Sequence, residues 1–174
     1  MRNATYNYGS ISRVLRTQSY SNPNLTPHFT VLSLVSCGRD IGDFSFEKEE
    51  LLKHISLSRI ACKEIFGLNN IYVEVIPCKE YDEESSLITS VTSYIASKQA
   101  DVEIQITEPD IENNYYYGFR IKIKAEIKTT VYEIGDGGML DWTQKLLSNK
   151  MERMMITGIG FQMLHQLTQT PKDF

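Results

Sequence analysis

From Phe119 to Ile127 apolar and charged residues alternate, with Phe119, Ile121, Ile123, Ala125 and Ile127 on one side and Arg120, Lys122, Lys124 and then Lys128 on the other. A period of two predicts an antiparallel strand with one face buried and one facing water. The run TTVYEI that follows reads as its hairpin partner, and Gly135, Gly137 and Gly138 after it predict a tight backbone turn. VEIQIT, starting at Val102, alternates in the same way. IYVEVIP reads as a strand stopped by Pro77, and the β-branched density of FTVLSLVS predicts another from Phe29 to Ser36, closed by Gly38, Asp40 and Gly42. A short strand from Ile11 to Arg16 is expected to pair with it across a loop, SYSNPNLTPH, that contains Pro23 and Pro27.

Helical spacing occurs between these strands. Ser45 is placed to cap a helix whose first turn holds Glu47, Glu49 and Glu50, whose apolar positions are Leu52, Ile55, Ile60, Ile65 and Phe66, and which Gly67 ends. SSLITSVTSYIAS sets Leu87, Ile88, Val91, Tyr94 and Ile95 on one face, with Ser85 as its cap. MLDWTQKLLSNK reads as helical, and RMMITGIGFQMLHQL as a strand running into a helix. Strands that arrive in pairs, with helices between the groups, favour an α+β fold with a mostly antiparallel sheet flanked by helices over a doubly wound parallel one.

Length and composition narrow the function classes. At 174 residues one domain is expected over 1–174, with flexible ends over 1–10 and 170–174. Eighteen basic against 22 acidic residues leave a net charge of -4, so generic nucleic-acid binding is not expected. No apolar run approaches a membrane span and the N-terminal residues form no signal-peptide core, so no membrane association is expected and the expected compartment is the cytoplasm. The three cysteines, Cys37, Cys62 and Cys78, lack CxxC spacing and read as buried thiols.

No motif by itself specifies a reaction. TGIGFQ, from Thr157, is half of a dinucleotide loop and no P-loop is present; close strand-helix packing explains its glycines more simply. His28, His54 and His165 lack ligand spacing, so neither a metal nor a cofactor is expected. Asp136 and Asp141 flank the glycine turn and suit a ligand amine or Mg²⁺ as well as turn and cap duties. The acidic run Glu80, Asp82, Glu83, Glu84 reads as a solvated face. Tyr115, Tyr116 and Tyr117, followed by Gly118, open a strand with rings on both faces, suited either to a pocket wall or to core packing.

The order of these segments resembles the catalytic core of histidyl-tRNA synthetase, a class II aminoacyl-tRNA synthetase, and of its non-synthetase paralogue, the regulatory subunit of ATP phosphoribosyltransferase. SRVLRTQSYSNPNLTPHFTVLSLVSCGRD is similar to the family's motif 2, a strand with Arg-x-Glu, a loop and a returning strand. FEKEELLKHISLSRIACKEIFGLNNIYVEV is similar to the helix and strand after it. VEIQITEPDIENNYYYGFRIKIKA, GDGGMLDW and MMITGIGFQML then follow in the places of Leu-Asp-Tyr-Tyr-Thr-Gly with its long strand, Gly-Gly-Arg-Tyr-Asp and Gly-Leu-Glu-Arg.

The departures fall on the phosphate-handling groups. Amino-acid activation uses arginines to neutralise charge at the α-phosphorus and on pyrophosphate. Arg16 matches the motif 2 arginine, but the acidic position after it is Gln18. The arginine and aspartate expected before the tyrosine pair fall at Ile111 and Asn114, and the last Glu-Arg falls at Gly160 and Phe161. Gly-Gly-Arg-Tyr-Asp survives as Gly137, Gly138 and Asp141. The resemblance therefore implies a stand-alone core without motif 1 or an anticodon-binding domain, which does not aminoacylate tRNA and has no catalytic residues. It implies instead a surviving pocket for an amino acid or nucleotide, built from Arg16, Gln18, Tyr115, Tyr116, Gly137, Gly138, Asp141 and Gly158, in a homodimer or a protein complex with a regulatory or assembly role. The alternatives are an adenylate-forming or nucleotide-using ligase that recruits Lys122 or Lys124, and a structural interaction module with the tyrosines in its core.

Overall fold

The computed structural model of the chain describes residues 4–16, 27–78, 84–110 and 112–169. Gln18, Ile111, the loop over 17–26, the end 170–174 and the acidic run at 80–83 lie outside them, and the side chains of Glu84 and Ser85 are likewise not described. In chain order the elements are β1 (Tyr6–Leu15), β2 (His28–Arg39), α1 (Ser45–Phe66), β3 (Ile71–Pro77), α2 (Glu84–Lys98), β4 (Glu103–Ile106), β5 (Phe119–Ile127), β6 (Thr130–Leu140), α3 (Trp142–Leu147), β7 (Glu152–Gly160) and α4 (Phe161–Thr168). The strands form one sheet in the order β1-β2-β7-β6-β5-β3-β4. Every pairing is antiparallel except β3 with β4, which α2 connects, so the expected α+β architecture holds with a mixed sheet.

The alternation along β5 is realised residue by residue: Phe119, Ile121, Ile123, Ala125 and Ile127 are all buried. They meet Leu51, Ile55 and Cys62 of α1, Leu87, Val91 and Ile95 of α2 and Leu164 of α4 in one apolar cluster. The other face keeps its cations half-buried against neighbours. Lys122 pairs with Glu133 at 2.9 Å, Arg120 with Asp110 at 2.9 Å, and Lys124 with Glu74 across β3.

Four expectations change. β1 starts at Tyr6 rather than Ile11, because Tyr6 to Ser10 continue the ladder opposite Cys37 to Ser33, so the expected loose end over 1–10 is strand from Tyr6 onward. The glycines expected to turn are in mid-strand: Gly135, Gly137 and Gly138 pair with Ile159, Thr157 and Ile156 of β7. α3 is six residues long and buries none of them, since Ser148 in the left-handed region ends it. Of the three cysteines, Cys62 and Cys78 are buried while Cys37 is only half-buried.

The buried side of α1 is also different. Phe46, Glu47, Glu50, Leu51, His54, Ile55, Ser58 and Cys62 face inward, while Ile60 and Ile65 are exposed. Polar residues enter this stripe because each finds partners there. Ser36 Oγ donates to Asn7 Oδ1 at 2.5 Å, so the 2.9 Å contact from His54 Nε2 to Ser36 must be an N–H donating to the hydroxyl. His54 Nδ1 then accepts from the Thr157 hydroxyl at 2.8 Å. This arrangement suits a neutral ring, and burial, followed by the positive charge of Lys53, pushes the imidazole down to about 4.

A depressed histidine pKa leaves stability intact above the unfolded value near 6.5 and removes it as pH falls towards 4, because the unfolded chain takes up a proton that the folded one refuses. That interval is expected to cost roughly 3 kcal/mol at about 1.4 kcal/mol per pH unit. The urea midpoint of His54→Gln, followed over the same range, should lose this part of its pH dependence. Parallel profiles for the two proteins would show that the proton is taken up elsewhere.

Candidate functional site

The open face of the central strands carries a hollow of about 440 Å³, lined by Arg16, Ser33, Leu34, Val35, Tyr115, Tyr116, Asp136, Ile156, Thr157 and Gly158. Its floor is a row set by register: Ser33 of β2 pairs with Gly158 of β7, which pairs with Asp136 of β6. Gly158 lowers the floor where a side chain would otherwise stand. A Cβ placed on it would meet only Val31 Cγ1, at 3.4 Å.

The wall comes from the loop before β5. Asn113 Oδ1 accepts the backbone N–H groups of Tyr115, at 2.7 Å, and Tyr116, at 3.0 Å, an Asx-type turn that fixes both residues. Gly118 leaves the loop with φ of 77°, a conformation that a side chain would strain. The two rings meet edge to face with centroids 4.9 Å apart, and Trp142 continues the aromatic row at 5.8 Å from Tyr115. The tyrosines therefore stand in a loop rather than in the first turns of a strand, and both line the hollow rather than the core.

Charge is placed at two points. The Tyr116 hydroxyl donates to Asp136 Oδ2 at 3.2 Å, and the Arg120 guanidinium lies 5.8 Å from the Tyr116 ring centroid. Burial, then the Asp136 carboxylate, drives the phenol pKa up, so Tyr116 keeps its proton and acts as a donor. Arg16 follows β1, its backbone N–H donating to Pro27 O at 2.8 Å and its guanidinium 5.3 Å from the Phe29 ring centroid. Among the described residues it has no ion pair. A hollow with a cation at its lip, a carboxylate on its floor and aromatic walls is suited to a small molecule that carries a negative group.

Of the residues singled out from sequence, Arg16, Tyr115, Tyr116 and Gly158 are brought together here, while Gln18 lies outside the described residues. Gly137, Gly138 and Asp141 do not line the hollow. Gly137 belongs to the helix-covered face, where a Cβ would run into the Ile156 carbonyl, and Gly138 is needed where Phe119 O and the Tyr116 ring approach. Asp141 instead binds Lys145 at 2.6 Å one helical turn on. Asp136, read in sequence as a partner for a ligand amine or Mg²⁺ or as a turn residue, takes a floor position because it pairs with Gly158. Among the described residues no group of three or more His, Cys, Asp or Glu is placed to hold a metal ion, and no helix is long and apolar enough to cross a membrane.

No protein-family model and no curated protein sequence matches the chain. Solved structures do match. Apo histidyl-tRNA synthetase from S. aureus superposes with a TM-score of 0.66 at 12% identity, over 96% of this chain and 44% of that one. An ATP phosphoribosyltransferase regulatory subunit/histidyl-tRNA synthetase from Bacillus halodurans C gives 0.69 at 11% identity, over 97% of this chain and 60% of that one. The RNA binding domain of threonyl-tRNA synthetase from Cryptosporidium parvum gives 0.65 at 10% identity, over 93% and 43%. The chain spans between about two fifths and three fifths of the length of these proteins. It has the class II aminoacyl-tRNA synthetase-like fold expected from the order of its segments.

Proposed function

We propose that the chain is a non-catalytic, histidyl-tRNA-synthetase-like protein that binds a small ligand carrying a negative group, an amino acid or a nucleotide, in the Tyr115–Tyr116 hollow and works as a regulatory or assembly subunit. The observation that carries the ligand is the combination, in one hollow, of Arg16 without an ion pair among the described residues and Asp136 held by Tyr116. An amino acid suits it with its carboxylate on Arg16 and its ammonium on Asp136. Loss of catalysis is supported by what stands where phosphate-binding arginine is expected. Phe161 packs edge to face on Phe66 there, with centroids 5.2 Å apart, and a neutral ring supplies none of the positive charge that a phosphate needs. The assembly role is supported by the likeness to a protein described as a regulatory subunit, which is an argument from fold.

The test is a thermal-shift panel with histidine, the other amino acids, ATP, AMP and phosphoribosyl pyrophosphate. A ligand at a hundred times its dissociation constant adds ~2.7 kcal/mol, which moves the melting point of a domain of this size by roughly 5 to 10 °C. The shift should vanish in Arg16→Ala and Tyr116→Ala and also in Gly158→Val, which raises the floor. A flat panel overturns the ligand reading, and pyrophosphate exchange with any amino acid overturns the non-catalytic one.

A further inference from the structure

β1 lies at the end of the sheet, and among the described residues nothing pairs with its outer edge. It runs for ten residues, YNYGSISRVL, nearly all exposed. Long edge strands are normally guarded by lysine, proline, acidic residues or bulges, since free N–H and C=O groups template further pairing. Arg13 is the one charged residue in this strand, and Tyr6, Tyr8, Ile11 and Leu15 are 59, 64, 63 and 58% exposed.

Beside this edge runs a cavity of about 660 Å³ between the β1–β2 pair and α1, with Gly9, Leu34, Leu52 and Leu57 among its lining residues. Gly9 leaves it open: a Cβ there would find Leu34 Cδ2 at an ordinary 3.7 Å. Leu57 is 49% exposed at its rim. An unguarded edge and an apolar cavity beside it, open at a glycine, are two halves of one surface that takes a strand whose side chain fills the glycine's place.

We infer that this surface pairs with β1 of a second copy, antiparallel about a two-fold axis through Ser10. Register carries the choice of occupant. A two-fold axis normal to the sheet keeps each face on its own side, so paired positions must be of the same parity. Pairing Ser10 with Ser10 of the second copy sets Ile11 opposite Gly9, over the apolar cavity, and Tyr6 opposite Val14. It sets Arg13 opposite Asn7, with the two Arg13 side chains about 20 Å apart, so like charges do not meet. Sliding the ladder by one pair would in one direction put Arg13 opposite Gly9, over the apolar cavity, and in the other set Gly9 opposite Gly9, leaving the place at the glycine unfilled. The strand thus supplies the aliphatic residue, the vacancy for it and the separation of charge that its own copy needs.

This inference rests on the assembly part of the reading above and not on the ligand. Light scattering on a sizing column should give a dimer that Ile11→Arg converts to monomer at concentrations where the parent is fully dimeric. Ile11 is exposed, so the variant is expected to keep its circular dichroism and melting profile as a monomer. In a Cys37→Ala background, Ser10→Cys should cross-link between copies when diamide takes up the two thiol hydrogens, because directly opposed residues lie within disulfide reach. Ser12→Cys, whose copies lie four positions apart along the ladder, should not. A dimer that survives Ile11→Arg and gives no cross-link at Ser10 leaves assembly standing and overturns the β1 interface. A parent chain that stays monomeric at every concentration overturns both.

Discussion

Arg153→Ala is expected to destabilise the protein by about 3 to 5 kcal/mol, the range for a buried ion pair that loses one partner. Arg153 stands on β7 with its side chain 11% exposed, and its Nε donates to Glu47 Oε1 at 2.7 Å. Glu47 is wholly buried in the first turn of α1. The same guanidinium donates to the carbonyls of Lys150, at 2.6 Å, and Glu152, at 3.2 Å, and lies 3.9 Å from Asp40, whose carboxylate receives the Ser45 hydroxyl at the start of α1. One side chain thus ties α1, the loop ahead of it and the loop entering β7. Alanine leaves the Glu47 carboxylate without this cation in a site that water does not reach. At roughly 2 to 4 °C per kcal/mol for a chain of this size, the melting point should drop by about 10 °C. The double variant Glu47→Met, Arg153→Met should recover much of the loss, since it leaves neither charge of the pair buried without the other. A fall of less than about 2 °C in Arg153→Ala would show that the pair contributes little.

How far the sequence showed this structure depended on whether a pattern was local. β5 was legible because one face meets the core and the other meets charged partners, so burial follows identity at every step from Phe119 to Ile127. α1 was legible in extent, up to the cap at Gly67 with φ of 69°, but not in orientation. Its inward stripe includes Glu47, Glu50, His54 and Ser58, and a polar residue reads as buried only once its partner, such as Thr157 or Arg153, is known to lie across the sheet. The glycines of β6 misled for a related reason. Three close together resemble a turn, whereas here they answer the close approach of a neighbouring backbone, which is a property of pairing between distant segments. The candidate site was half legible. Tyr115, Tyr116, Arg16 and Gly158 emerged from the order of motifs, and that order survives in the fold although the similar solved structures share only 10 to 12% of residues. Asp136 and Ser33 needed the register, because only the alignment of β2, β7 and β6 places them either side of Gly158.

The second large effect is expected at one of those glycines. In Gly137→Ala the new methyl would fall far inside contact distance of the Ile156 carbonyl and 2.9 Å from Thr157 Cα. Both obstacles are backbone of β7, which is itself held by β2 on its other side, so neither can step aside without opening a ladder. Overpacking that side-chain motion relieves costs typically 1–3 kcal/mol, and this case lacks that relief, so a loss of about 3 kcal/mol or more is expected. The melting point should fall by roughly 10 °C, with the ligand response of the remaining folded protein unchanged. Gly158→Ala makes the opposite pair of changes: its Cβ meets only Val31 Cγ1, and it stands on the floor of the hollow. Stability within about 0.5 kcal/mol of the parent, with a weakened thermal shift, is the expected outcome there. Measured together, the two glycines separate what the segment GDGG does for the sheet from what β7 does for a ligand. If Gly137→Ala instead kept its melting point and lost the ligand response, Gly137 would belong to the pocket after all, and the helix-covered face would have to be open to the ligand.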